Sequence, residues 1–97
     1  MFFEKCFYIF VKNINIMNEK VKEMVKQYAI EHLDKSDNIP TFDVYIVWQC
    51  YILGNAKWLL STTLYDGMYY EVTYNKAKDE FYLDAYKKFE NRCIKNT

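Results

Sequence analysis

The chain has 97 residues, 52% of them hydrophobic and 20% aromatic, with two glycines and one proline; that is one domain's worth of core and too apolar a composition for disorder. Thirteen basic residues balance thirteen acidic ones, so there is no overall positive field to drive non-specific nucleic-acid binding, which leaves only a local patch for that purpose. Three cysteines, Cys6, Cys50 and Cys93, odd in number and never spaced as CxxC, indicate neither a disulfide framework nor a zinc site and fit a reducing cytosol.

The opening MFFEKCFYIFVKNINI is apolar, but Glu4, Lys5 and Lys12 interrupt it. The clear run is too short for a membrane span of about 20 residues, and no small-residue cleavage site follows. Two readings of residues 1–16 stand side by side. One is an upstream extension before a start at Met17. The other is an extra strand, because Phe3, Lys5, Phe7, Ile9 and Val11 alternate with Glu4, Cys6, Tyr8, Phe10 and Lys12. From Asn18 the period becomes helical: Val21, Met24, Val25, Tyr28, Ala29, His32 and Leu33 form one apolar stripe. Asn18 suits the N-cap and Glu19 the first turn, while Lys20, Lys22, Glu23, Lys26, Gln27 and Glu31 make a solvated face. The helix gives out in DKSDNIPTFD, a loop rich in Asp, Ser, Asn and Pro.

After the loop the period falls to two. Asp43–Ile52 is rich in β-branched and aromatic residues, Gly54-Asn55 turns the chain into Lys57–Tyr65, and Asp66-Gly67 turns it into Met68–Tyr74. NKAKD leads to a fourth strand, Glu80–Tyr86, and the tail KKFENRCIKN admits a short helix with Phe89 and Cys93 facing inward. The expected architecture is α+β: residues 17–97 as one domain, an N-terminal amphipathic helix packed on a four-stranded antiparallel meander.

Two-residue turns fix which side chains share a face. They put Val44, Ile46, Trp48, Cys50, Leu59, Tyr65, Met68, Tyr70, Val72 and Tyr74 under the helix, joined by Phe81, Leu83 and Ala85 through a turn at Lys76-Ala77. The opposite face then carries Tyr45, Tyr51, Trp58, Leu60, Leu64, Tyr69, Glu71, Tyr82, Asp84 and Tyr86, together with Val47, Gln49, Thr62 and Thr73. A solvated meander has a polar outer face; this one is aromatic, and contiguous apolar area of that size marks an interaction site. Those ten residues are the candidate binding face, and its cover is the N-terminal segment, a second copy of the chain in a homodimer, or another partner.

Chemistry-bearing groups are sparse. His32 is the single histidine, has no second ligand at zinc spacing, and reads as a residue at the helix boundary. Cys50 has no helix N-terminus or histidine beside it in sequence to make it a nucleophile and reads as a core thiol. Glu71 and Asp84 with Tyr69 and Tyr82 make a carboxylate pair among phenols, of the kind glycosidases use, although acidic residues on exposed strands more often serve solubility and hydrogen bonding. Lys76, Lys78, Lys87, Lys88 and Arg92 beside aromatic strands suggest a single-strand nucleic-acid platform, but Asp79, Glu80, Asp84 and Glu90 cancel most of that field. No Walker loop, dinucleotide fingerprint or nucleophile elbow is present. No catalytic residue, metal or cofactor is expected.

VW at 47–48, LLSTTLYDGMYYEVTYN at 59–75 and YLDAYKKFEN at 82–91 resemble a family of small uncharacterised phage and prophage proteins of Gram-positive bacteria, over roughly Met17 to Ile94. The resemblance brings no assigned activity and hence no catalytic residue. It implies a non-enzymatic accessory protein that binds a bacterial host or defence protein through the aromatic sheet face and the charged helix face. The second class it admits is a module that stacks a nucleotide or single-stranded nucleic acid on the same rings.

Overall fold

No glycine or proline precedes Pro40, so nothing in the covalent chain stops a helix once part of it is held by packing. A computed structural model, which describes residues 2–33 and 40–96, contains one helix, α1, running without a break from Phe2 to Glu31. The extra-strand reading of residues 1–16 is thereby corrected, because a short alternation does not outweigh propagation from the packed half. At 1.5 Å per residue α1 is about 45 Å long, longer than any strand it lies on. Asn18, expected as N-cap, sits in the helix interior. The stripe is as expected from Val21 to Ala29: Val21, Val25 and Ala29 are buried, and Met24 and Tyr28 pack against the core. His32 is exposed just past the last turn, where its Nδ1 lies 2.9 Å from the Tyr28 carbonyl and its ring stacks on Tyr28 at 4.1 Å. The expected loop DKSDNIPTFD falls largely on residues 34–39, outside the described residues.

Four strands follow: β1 (Val44–Ile52), β2 (Asn55–Thr62), β3 (Met68–Asn75) and β4 (Glu80–Lys87). They pair antiparallel in the order β1-β2-β3-β4, and α1 covers one face, lying towards the β1 side. This is the α+β meander expected. The tail after Lys87 differs from expectation: residues 88–96 have no regular structure, and Phe89 and Cys93 are exposed.

The turns decide the faces. Leu53 (φ 51°) and Gly54 (φ 85°) form the first turn, both with the positive φ that a type I′ turn requires. Asn55 therefore belongs to β2, where its Oδ1 accepts the Lys76 N–H at 2.9 Å. The connection from β2 to β3 is wider than Asp66-Gly67 alone. Thr62 Oγ1 accepts the Leu64 N–H (3.3 Å), Asp66 Oδ1 accepts the Met68 N–H (3.1 Å), and the Thr63 N–H donates to the Asp43 carbonyl (3.0 Å). These side-chain oxygens hold a longer loop open, and Leu60 pairs with Tyr70 and Trp58 with Val72. The register is displaced by an odd step from the two-residue expectation, and an odd step exchanges faces. In β1 a bulge between Ile46 and Trp48 adds Val47, so Val44 and Ile46 stay on the helix side while Trp48 and Cys50 turn away. The β3–β4 turn, Lys76–Asp79, shifts the register by an even step, and Tyr70, Val72 and Tyr74 share a face with Ala85, Leu83 and Phe81 as expected.

The core consists of Val21, Val25, Ala56, Trp58, Leu60, Tyr70 and Val72, whose larger members each contribute about 1.5–3 kcal/mol by burial. Tyr28 meets Tyr70 edge-on at 5.7 Å. A polar contact ties the helix to the sheet: Trp58 Nε1–H (2.8 Å) and the Tyr51 hydroxyl (3.0 Å) both donate to Asn18 Oδ1. Trp58 is fully buried, and an indole N–H in that position needs a partner.

Candidate binding face

The face turned away from α1 is laid out in cross-strand rows. Tyr45, Ser61, Tyr69 and Tyr86 stand opposite one another across the four strands; the next row is Trp48, Leu59, Glu71 and Asp84, and the third is Cys50, Lys57, Thr73 and Tyr82. Aromatic rings at both margins are about half exposed, with Trp48 at 52% and Tyr86 at 52%. The middle of the face is mixed and lower-lying, with Ser61 buried and Leu59, Tyr69, Glu71 and Thr73 half-buried.

Of the ten expected residues, Tyr45, Tyr69, Glu71, Tyr82, Asp84 and Tyr86 come together here. Tyr51, Trp58 and Leu60 do not. The odd β2–β3 register step carries Trp58 and Leu60 to the helix side, and Tyr51 with them because Trp48–Ile52 is paired to β2; there Trp58 and Leu60 are fully buried and Tyr51 bonds to Asn18. Leu64 lies in the β2–β3 loop. Trp48, Cys50 and Leu59, expected under the helix, take the vacated places, and Tyr65 is fully exposed in the loop. No sequence signal marks the bulge. The wide loop had one, since Thr62, Thr63 and Asp66 are residues that hydrogen-bond neighbouring backbone.

Charges on the face alternate. Lys57 Nζ lies 3.3 Å from Glu71 Oε1, and Glu71 stands directly opposite Asp84. Lys88 Nζ sits 5.6 Å from the centre of the Tyr69 ring, a cation–π contact. The Tyr82 hydroxyl donates to Glu80 Oε2 and, on the helix side, the Tyr74 hydroxyl to Asp79 Oδ1 at 2.7 Å; these bonds hold both phenol pKa values above the ordinary 10.0. Burial raises the pKa values of Tyr51 and Tyr70.

Two concavities open at the face. A cleft of about 560 Å³ lies beside the β2–β3 loop between Tyr45, Tyr65, Tyr69 and Lys88. An apolar groove of about 300 Å³ runs past Trp48, Cys50, Ile52 and Lys57. The hydroxyls near the cleft are engaged: Ser61 Oγ donates to the Met68 carbonyl (3.1 Å), and Thr63 Oγ1 accepts the Asp43 N–H (3.0 Å). Cys50 and His32 lie on opposite sides of the sheet, so they do not form a nucleophile–base pair. Among the described residues no group of three or more His, Cys, Asp or Glu side chains is placed to hold a metal ion, and no helix is long and apolar enough to cross a membrane. The arrangement offers stacking surface and balanced charge.

A family model described as "Family of unknown function (DUF6275)" matches residues 14–96. No curated protein and no solved structure matches the chain.

Proposed function

The chain belongs to DUF6275, a family of unknown function, and from its surface we propose a non-catalytic module that binds a protein partner through the outer face of its sheet. The observation that carries this reading is the row Tyr45–Ser61–Tyr69–Tyr86 with Trp48 beside it: half-exposed rings of Tyr45, Trp48 and Tyr86 at the margins and a half-buried Tyr69 between them, next to Ser61 and Glu71. Rigid rings of this kind supply contact area at low entropic cost and are over-represented among binding hot spots. Glu71, Asp84 and Glu80 stand among the lysines, which argues against a phosphate polymer and for a partner of mixed charge. With the resemblance to phage and prophage proteins, the partner class is a host or defence protein of a bacterium.

The cleft beside Tyr69 and Lys88 favours a second reading, a free nucleotide stacked on tyrosine with its phosphate near the lysine. The test is a photo-crosslinking residue placed at Tyr86 or, as a control, at Glu19 on the exposed helix surface, in chain expressed in a bacterial host. A discrete protein adduct from Tyr86, lost on Tyr69→Ala, is the expected result. Adducts from Glu19 alone would move the site to the helix, and nucleotide binding lost on Lys88→Ala with no adduct would favour the second reading. Trp58→Ala is no probe of this face: it empties the core at about 3–5 kcal/mol.

A further inference from the structure

We propose that two copies of the chain join at their β1 edges, the Trp48–Ile52 segments pairing antiparallel about a two-fold axis at Cys50, so that one sheet runs through both. This inference does not rest on the partner reading above, with which it shares Trp48 alone.

Among the described residues the strand order leaves β1 and β4 as edges. A two-fold axis lays a strand against itself, so a charge near the axis meets its own copy or a close neighbour of it. Strand β4 carries Glu80, Asp84 and Lys87, whereas β1, VYIVWQCYI, carries no charged side chain. An uncharged edge without proline lacks two of the common devices that keep strands apart. The third device, the bulge, is present, but it lies at Val47 and leaves Trp48–Ile52 in unbroken register with β2.

The geometry of that segment suits self-pairing. The type I′ turn at Leu53-Gly54 makes Ile52, Cys50 and Trp48 the residues that bond to β2, and directs the backbone N–H and C=O of Gln49 and Tyr51 outward. Centred on Cys50, Gln49 then bonds with Tyr51 of the partner subunit, and Trp48 lies opposite Ile52 of the partner subunit on the outer face. Trp48 and Ile52 are 52% and 64% exposed in the single chain, and the groove between them supplies room for the pair. The two Cys50 residues form a non-hydrogen-bonded pair, with Cα atoms about 4.5 Å apart, within disulfide range.

The test is light scattering on the full chain together with oxidation of a variant whose only thiol is Cys50 (Cys6→Ser, Cys93→Ser). The expected mass is twice the 11.8 kDa of one chain. Copper–phenanthroline is expected to link the Cys50-only variant as a dimer, each pair of thiols losing two protons and two electrons to the oxidant. Trp48→Lys, which puts a cation at an exposed site, is expected to give a monomer with an unchanged circular dichroism spectrum, while Tyr86→Lys on the far edge stays dimeric. A monomeric wild-type chain, or a dimer that survives Trp48→Lys and does not link through Cys50, overturns the proposal. Adducts at Tyr86 from a monomer would leave the partner reading standing alone.

Discussion

Asn18→Ala removes one carboxamide oxygen that accepts two hydrogen bonds from the sheet, at 2.8 Å from Trp58 Nε1–H and 3.0 Å from the Tyr51 hydroxyl. Trp58 has no exposed surface, so its N–H loses its partner where water does not reach it, at a cost of about 1–3 kcal/mol. The Tyr51 hydroxyl is half-buried and recovers part of its loss from water, adding about 0.5 kcal/mol. Alanine is a better helix former than asparagine by about 0.5 kcal/mol, which offsets that smaller part. The net expectation is a loss of about 1–3 kcal/mol, a large fraction of a typical domain's 5–15 kcal/mol, and a Tm lower by roughly 4–8 °C per kcal/mol. Urea unfolding followed by circular dichroism measures the loss, and a double-mutant cycle isolates its cause. Trp58→Phe has no N–H to orphan, so Asn18→Ala in that background should cost at least about 1 kcal/mol less. Equal costs in the two backgrounds would refute the reasoning and assign the effect to packing alone.

Three further outcomes follow from the turns and the sheet. Leu53→Asn should stabilise by about 0.5–1 kcal/mol in thermal unfolding, since Leu53 is 93% exposed at φ 51°, a conformation asparagine tolerates better. Asp84→Lys turns a like-charge pair with Glu71 into an opposite one and should stabilise by roughly 0.5 kcal/mol, an increment that shrinks as salt is added. Stability should fall as pH rises past 10.0, the ordinary tyrosine value above which Tyr51 and Tyr70 are held by burial: the folded state keeps these protons longer than the unfolded state, so the stabilisation is complete below that pH and is lost on going through the raised values. Tyr70→Phe should make the Tm decline over that range shallower; an unchanged slope would remove Tyr70 from the account.

How much of this was legible in the sequence depends on the range of the interaction involved. The stripe Val21–Ala29 was legible because period 3.6 is a local property, and the shared face of Tyr70, Val72 and Tyr74 with Phe81 and Leu83 survived because the error in that turn was even. Trp58 and Leu60 were placed on the wrong face because loop length was set by side-chain oxygens of Thr62 and Asp66, and an odd step reverses a whole strand. Trp48 and Cys50 are paired to β2 and reversed with it, while Val44 and Ile46 were returned to the helix side by a bulge that leaves no compositional trace. Asn18 looked like a cap because its neighbours suit a helix start; its partner Trp58 is 40 residues away, and no local pattern announces such a contact. The outer face was thus expected as aromatic and found so, with six of its ten expected members in place and Trp48 supplying the ring that Trp58 does not.

The residue inserted at Val47 also affects how β1 comes loose. Ladder bonds protect one another only while the ladder is continuous, and a bulge interrupts it. On one side, Val44–Ile46 is anchored where Asp43 and Thr63 exchange hydrogen bonds; on the other, Trp48–Ile52 is anchored by the hairpin turn and by the bond from Tyr51 to Asn18. The strand is therefore expected to open as two short pieces, with amides before Val47 exchanging together with the β2–β3 loop and those after it together with the helix. Whatever docks on the outer edge then meets a segment that can adjust by half its length without unfolding the sheet behind it.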